Sequence, residues 1–185
     1  MSEAETVKKP RKKKFILIGL GLVVFGGGGV GAGLWAGIIG HHKSAAELNR
    51  PHLVAREGVS AADVERYSTR DGSGRPDPTK FNASYYPIKE SFTANLRDSD
   101  SFIQVAIGVS TYYDDHVIQN ITRHEMAVRS AVLMTLTNQD TLPMSTPQGK
   151  EALRGELKKA INATLKAKEG FGGIDDVYFT SFVVQ

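Results

Sequence analysis

Cysteine is absent from all 185 residues, which excludes disulfides, a thiol nucleophile and any thiolate-held metal. Whatever part of the chain folds does so on its core alone. Histidine is scarce too: His41, His42, His52, His116 and His124 are all there are. Apart from the adjacent pair His41 and His42, no two share a spacing that would bring them to one metal ion. No Gly-x-Ser-x-Gly elbow and no partnered Ser-x-x-Lys nominates a serine nucleophile. Asp114–Asp115 and Asp175–Asp176 pair carboxylates, but each pair sits where a strand ends or begins, and turns recruit aspartate for local backbone hydrogen bonds. The run Gly31-Ala32-Gly33-Leu34-Trp35-Ala36 imitates a dinucleotide fingerprint without the strand such a motif follows. Neither a catalytic group nor a cofactor is expected.

Charge of either sign is missing from residues 15–40, where an aliphatic stretch leads into four glycines and then Val-Gly-Ala-Gly-Leu-Trp-Ala-Gly-Ile-Ile-Gly. An uncharged run longer than the ~20 residues that cross ~30 Å of hydrocarbon reads as one transmembrane helix, since in a bilayer the backbone must satisfy its own hydrogen bonds. Its ten glycines would weaken a helix in water by roughly 1 kcal/mol each. Lipid offers no solvated alternative, and glycine lets helices approach closely. Gly27 with Gly31, Gly29 with Gly33 and Gly33 with Gly37 have the small-xxx-small spacing of a helix-packing face, although a run so rich in glycine also produces such pairs by chance.

Lys8, Lys9, Arg11, Lys12, Lys13 and Lys14 precede the run, whereas His41, His42 and Lys43 are all that follow closely. The positive-inside rule therefore keeps the N-terminus in the cytoplasm and places the rest outside. Gly31 and Gly33 resemble a signal-peptide cleavage site, but the apolar core of a signal peptide is only about 7–15 residues long, so an uncleaved anchor is the expectation. The formal charge of +3 is misleading when taken whole, because the first fourteen residues hold six basic and two acidic side chains and the remainder carries about −1. The basic tail is a topology signal and a contact for membrane lipid headgroups. The exported part lacks the electrostatic footprint of a nucleic-acid binder.

Past the apolar run, residues 41–80 read as a linker, with Gly72-Ser73-Gly74 and Arg75-Pro76-Asp77-Pro78 forming a loop that neither helix nor strand tolerates. Ser60, three residues before Asp63, allows one short helix inside it. Residues 81–185 are enough for one modest domain. Tyr85-Tyr86-Pro87-Ile88 and Phe92 to Leu96 have short-strand composition. In residues 102–113, Ile103, Val105, Ile107 and Val109 alternate with Gln104, Ala106, Gly108 and Ser110, giving one apolar face and one small, more polar face. Val128, Val132 and Leu136 then recur every four residues, which predicts a helix over 122–137. Thr146 as cap and Pro147 at the first helical position open a second helix. Its stripe is Leu153, Leu157, Ile161 and Leu165, and Gly170 stops it. The last ten residues, 176–185, form a strand by composition, and a terminal strand needs a sheet to hold it, with residues 102–113 as the partner.

The segments Tyr85-Tyr86-Pro87-Ile88, Phe102-Ile103-Gln104-Val105, Arg129-Ser130-Ala131-Val132-Leu133, Ser145-Thr146-Pro147-Gln148-Gly149-Lys150-Glu151 and Val177-Tyr178-Phe179-Thr180-Ser181-Phe182-Val183-Val184-Gln185 together resemble the flagellar basal body-associated FliL family. The structural motif positions are Ser145, Thr146, Pro147, Gly149, Val177, Tyr178, Phe179, Phe182 and Gln185. The resemblance implies a single-pass inner-membrane protein of the flagellar basal body, without catalytic activity. Its periplasmic domain would be α+β, an antiparallel-type sheet with two packed helices similar to the stomatin (SPFH) type, tethered to one N-terminal transmembrane helix. The implied partners are the stator proteins MotA and MotB, enclosed by a ring of copies of this chain that supports motility. The expected organisation is a basic cytoplasmic tail over 1–14, the membrane helix over 15–40, a periplasmic linker over 41–80 and the FliL-like domain over 81–185. An anchored envelope hydrolase, the competing class, needs a paired acid and base or metal ligands, which this sequence does not offer; a generic envelope scaffold or quality-control factor is the other alternative.

An alkaline phosphatase reporter fused after Gln185 is expected to be active and one fused before Lys8 inactive. The reverse pattern, or release of a soluble mature form, contradicts the anchor.

Overall fold

A computed structural model describes residues 50–97 and 99–185. The basic tail, the apolar run with its glycine pairs, and the start of the expected linker lie outside the described residues. Among those described, no helix is long and apolar enough to cross a membrane. The described chain is an α+β domain with an antiparallel sheet: α1 (Ala61–Tyr67), β1 (Ser84–Pro87), β2 (Phe92–Asn95), β3 (Phe102–Thr111), α2 (Asp115–Arg123), α3 (Glu125–Thr137), α4 (Thr141–Met144), α5 (Pro147–Glu169) and β4 (Asp176–Val184).

Strand β3 is the hub, because β1, β2 and β4 each pair with it, all antiparallel. A strand has only two edges, and β4 occupies one of them from Ile103 to Ser110. β1, opposite Gly108 to Thr111, and β2, opposite Phe102 to Val105, therefore share the other edge as one interrupted strand. The interruption contains Glu90, the one described non-glycine residue with positive φ (63°). It is clamped from α3: Arg129 donates from Nη1 to Lys89 O (2.6 Å) and from Nη2 to Ser91 O (3.3 Å) while stacking on the Phe92 ring at 4.4 Å. A guanidinium suits this work because its planar fork donates in two directions while its face rests on an aromatic ring.

The expected alternation in β3 separates two faces. Ile103, Val105, Ile107 and Val109 are at most 1% exposed and meet the helices, while Gln104 and Ala106 point to the other side. Leu153, Leu157, Ile161 and Leu165, one residue per turn of α5, are fully buried in the same core, where α5 packs on α3 and β4 and Val128, Val132 and Leu136 of α3 lie beside them. Helix α5 begins at Thr146, whose Oγ1 accepts from the Gly149 N–H, with Pro147 at the first turn, and ends at Gly170 in the left-handed region (φ 72°). β4 departs from strict alternation. Ala106 lies opposite Ser181 and Ile107 opposite Phe179, so Thr180 is an extra residue. This bulge turns both Phe179 and Phe182 toward the inner face, where their rings meet edge-on at 5.0 Å.

Two expectations are corrected. The helix expected over 122–137 is α3, which starts at Glu125, and a second helix precedes it: α2, capped by Asp114, runs to Arg123, and the backbone breaks at His124 (φ −106°, ψ 26°) before α3. Asp114 was assigned to a turn, but its side chain accepts from the His116 N–H, and Val117, Asn120 and Ile121 give α2 its own buried face. The described part of 41–80, expected to be an unpacked tether, packs on the domain. Leu53 is buried and bridges Tyr113, and Ala55 bridges Phe81. The Val54 N–H donates to Tyr112 O (2.9 Å), and Val54 O accepts from the Asn82 N–H (2.8 Å). The short helix α1 forms with its Ser60 cap, and Tyr67 meets fully buried Phe81 edge-on at 5.6 Å.

Deleting residues 177–185 removes the pairing of one edge of β3 except at Ser110. The truncated chain is expected to lose near-UV circular dichroism and its cooperative unfolding transition; a native-like melt would show that β4 is dispensable.

Candidate interaction surfaces

The motif around the start of α5 is built for close approach. Thr146 Oγ1 accepts from the Gly149 N–H at 3.0 Å and donates to Pro143 O at 2.9 Å, joining α4 to α5. Ser145 closes α4 as its C-terminal cap. A Cβ added at Gly149 would lie 2.0 Å from Pro143 O, so only glycine lets the two segments cross. One residue on, Lys150 Nζ sits 4.8 Å from the centre of the Phe182 ring, and Arg154 Nε lies 3.4 Å from Asp176 Oδ1. The two motifs, distant in sequence, are thus brought together where α5 lies on β4.

Within the terminal motif, Val177 is fully buried, and Gln185 exchanges two backbone hydrogen bonds with Phe102 (2.7 and 3.0 Å). Tyr178 points the other way. It lies 5.7 Å from Tyr85, ring to ring, over the outer face of the sheet, and Val183 shares that face as the partner of Gln104. Tyr85 is 67% exposed. A second exposed apolar group lies on the helix layer: Met126 (86%) and Met134 (65%) on α3, and Leu142 (82%) on α4. Met126, Ser130, Leu133 and Met134 line an open groove with Arg129 and Thr137. The domain therefore presents two chemically distinct apolar patches, one on each layer.

Sequence reasoning missed the methionine patch, although α3 is apolar on nearly every side, and an all-round apolar helix signals burial by a partner. The described histidines serve local structure. His52 Nδ1 (3.4 Å) and His116 Nδ1 (3.0 Å) both approach the Asp114 carboxylate. His124, at the cap position of α3, makes no side-chain cap bond. Its Nε2 instead lies 2.6 Å from Glu169 Oε1, which also accepts from Arg123 Nη1 at 2.9 Å. His124 foremost, then Arg123, hold the Glu169 carboxyl below its ordinary value against partial desolvation. The α2–α3 break is thereby tied to the end of α5. Among the described residues, no three His, Asp or Glu side chains are grouped to hold a metal ion.

A family model described as flagellar basal body-associated protein FliL matches residues 85–185. A protein named flagellar protein FliL from Aquifex aeolicus is 30% identical over 101 residues, 54% of this chain and 60% of that protein. The protein of that name from Escherichia coli (strain K12) is 27% identical over 96 residues, 52% of this chain and 62% of its own length. The one from Bacillus subtilis is 32% identical over 96 residues, 52% of this chain and 64% of its own length. The chain thus spans less than two thirds of each of these relatives.

Two glycines of α5 should respond oppositely to alanine. Gly149→Ala forces a Cβ into Pro143 and is expected to destabilise the domain by about 2 kcal/mol or more. Gly155→Ala, which meets nothing within 4 Å, is expected to stabilise it by about 0.5–1 kcal/mol through helix propensity. Urea unfolding of both variants checks this, and equal effects at the two sites would contradict the α4–α5 crossing.

Proposed function

The chain belongs to the FliL family of flagellar basal body-associated proteins, and from that premise we propose that it is a non-enzymatic motor protein that supports the stator units. In this reading residues 15–40 anchor it in the inner membrane with the N-terminus in the cytoplasm, and the α+β domain lies in the periplasm as a stomatin-like scaffold. Copies assemble as a ring around MotA and MotB. The observation that carries the proposal is the family match over residues 85–185, which takes in almost the entire sheet and every helix from α2 to α5.

The two apolar patches support self-association. A ring needs a heterologous contact, in which one surface of each subunit meets a different surface of the next. Tyr85, Tyr178 and Val183 on the sheet layer, and Met126 and Met134 on the helix layer, are two such surfaces. A ring of this kind acts without catalysis. Many weak contacts around one stator unit lengthen its residence through avidity, since each contact is intramolecular once the first has formed.

Deletion of the gene is expected to leave the filament assembled and to reduce swimming in viscous medium more than in dilute broth, with shorter stator residence at the motor. Crosslinking in membranes should show a ladder above the dimer that Met126→Glu and Tyr178→Glu each shorten. Equal motility of deletion and parent at every viscosity, with unchanged stator residence, would refute the assignment.

A further inference from the structure

The motor proposal makes no use of a cleft on the C-terminal half of α5, away from its start. This cleft, of about 420 Å³, lies between α5 and the loop over residues 71–75. Its volume falls within the roughly 300–1,000 Å³ of small-ligand sites. Four cations line it: Arg75 from the loop, and Lys158, Lys159 and Lys166 from α5. One of them is already engaged, since Lys166 Nζ lies 2.5 Å from Asp71 Oδ2. Asn162 is engaged as well, its amide closing a pair of hydrogen bonds with the Ile174 backbone at 2.8 and 2.9 Å. The side chains of Arg75, Lys158 and Lys159 have no hydrogen bond or ion pair to any described residue.

The loop wall is pre-formed. Asp71 Oδ1 accepts from the Ser73 N–H (3.1 Å) and Oγ (2.6 Å), and Asp71 O accepts from the Gly172 N–H (2.9 Å). Gly72, at φ 71°, leaves no room for a Cβ beside Phe171 and Gly173. Outside the N-terminal tail the chain carries a formal charge of about −1, so three cations without a partner among the described residues, all lining one cleft, are a local concentration against the average. Like charges held together repel, and an anion between them relieves that repulsion while gaining charge-assisted hydrogen bonds. The occupant is small, because the cleft is bounded. It meets cations carried on two walls of one cleft, and a compact dianion neutralises these together better than the separate carboxylates of an acidic peptide. We propose that the cleft between α5 and residues 71–75 binds a phosphate group, borne by a small soluble phosphate ester or by an anionic phospholipid headgroup.

The test is lysine footprinting of the full-length protein in neutral detergent micelles. Acetylation of Lys158 and Lys159 is read by mass spectrometry with exposed Lys89 as internal reference. Probes are sn-glycerol 3-phosphate, phosphatidylglycerol doped into the micelles, phosphatidylcholine as the zwitterionic control, and a glutamate-rich peptide. Protection of Lys158 and Lys159, but not of Lys89, by glycerol phosphate identifies the soluble source; protection by phosphatidylglycerol alone identifies the lipid. In the Arg75→Ala/Lys158→Ala variant the protection of Lys159 should need at least about tenfold more probe. These side chains have no described partner, so that variant should fold, which circular dichroism checks, and the wild-type footprint stands by itself in either case. Absence of protection by every probe, equal protection of Lys89, protection by the glutamate peptide alone, or undiminished affinity in the folded variant would each overturn the phosphate site.

Discussion

The apolar stripe of α5, packed on α3 and β4 in the core that the inner face of β3 also enters, is the constraint on which this domain rests. No covalent cross-link exists to share the work, and β3 is the strand through which β1, β2 and β4 all join the sheet. Each fully buried leucine or isoleucine of the stripe contributes about 1.5–3 kcal/mol, set against about 1–2 kcal/mol of backbone entropy for every residue ordered. The margin is narrow, so the stripe must be placed accurately along its 23-residue helix. Both ends of α5 are accordingly fixed by backbone-level devices. The Thr146 cap and the Gly149–Pro143 crossing hold the start, and Gly170 with the Glu169–His124 contact holds the finish.

That division between long periodic elements and local devices decides how much of the fold was legible in the sequence. The α5 stripe, the β3 alternation and the terminal strand each repeat a period long enough to stand above noise, and the caps at Thr146 and Gly170 mark true ends. Helix α2 was missed except for its last two residues, because its nine residues span barely two and a half turns and its aspartate cap carries the same signal as a turn. The bulge at Thr180 was invisible because spacing alone cannot say which of two apolar phases in residues 177–184 faces inward; the pairing with β3 decides it. Residues 50–80 have turn-rich composition, yet their backbone hydrogen bonds run to Tyr112, Asp114 and Asn82. Such contacts leave no trace in a local window. Composition predicts whether a segment can build a core of its own, not whether it lies along another.

The surfaces were legible to a different degree. Sequence resemblance pointed to the segments around Thr146 and Val177, and the geometry gives the reason: most of those side chains hold α5 on α4 and on β4, and Tyr178 alone among the terminal aromatics turns fully to the outer face. A recognisable motif here reports how the domain is held together more than what it touches. The groups free to touch something, Met126, Met134 and Tyr85, stand outside the Thr146 and Val177 segments and became visible only once burial separated inner from outer faces. The cationic cleft was hidden for a related reason. Arg75 and Lys158 are 83 positions apart, and the net charge of the chain conceals their convergence.

Asp71 connects the fold to that cleft. Its carboxylate takes Lys166 first and Ser73 second, and together they hold its pKa far below the ordinary aspartate value. A carboxyl depressed in the folded state contributes its stabilisation in full above its unfolded value and loses it only as pH falls through the folded one. Across neutral and mildly acidic pH, then, Asp71 stays ionised, Lys166 stays committed to it, and the loop that carries Arg75 keeps its shape. Had Asp71 titrated in that range, Lys166 would be released as the loop loosened, and the cleft would gain charge while losing a wall. With Asp71 ionised throughout, the charge presented to a ligand comes from Arg75, Lys158 and Lys159, on a frame that the same carboxylate holds in place.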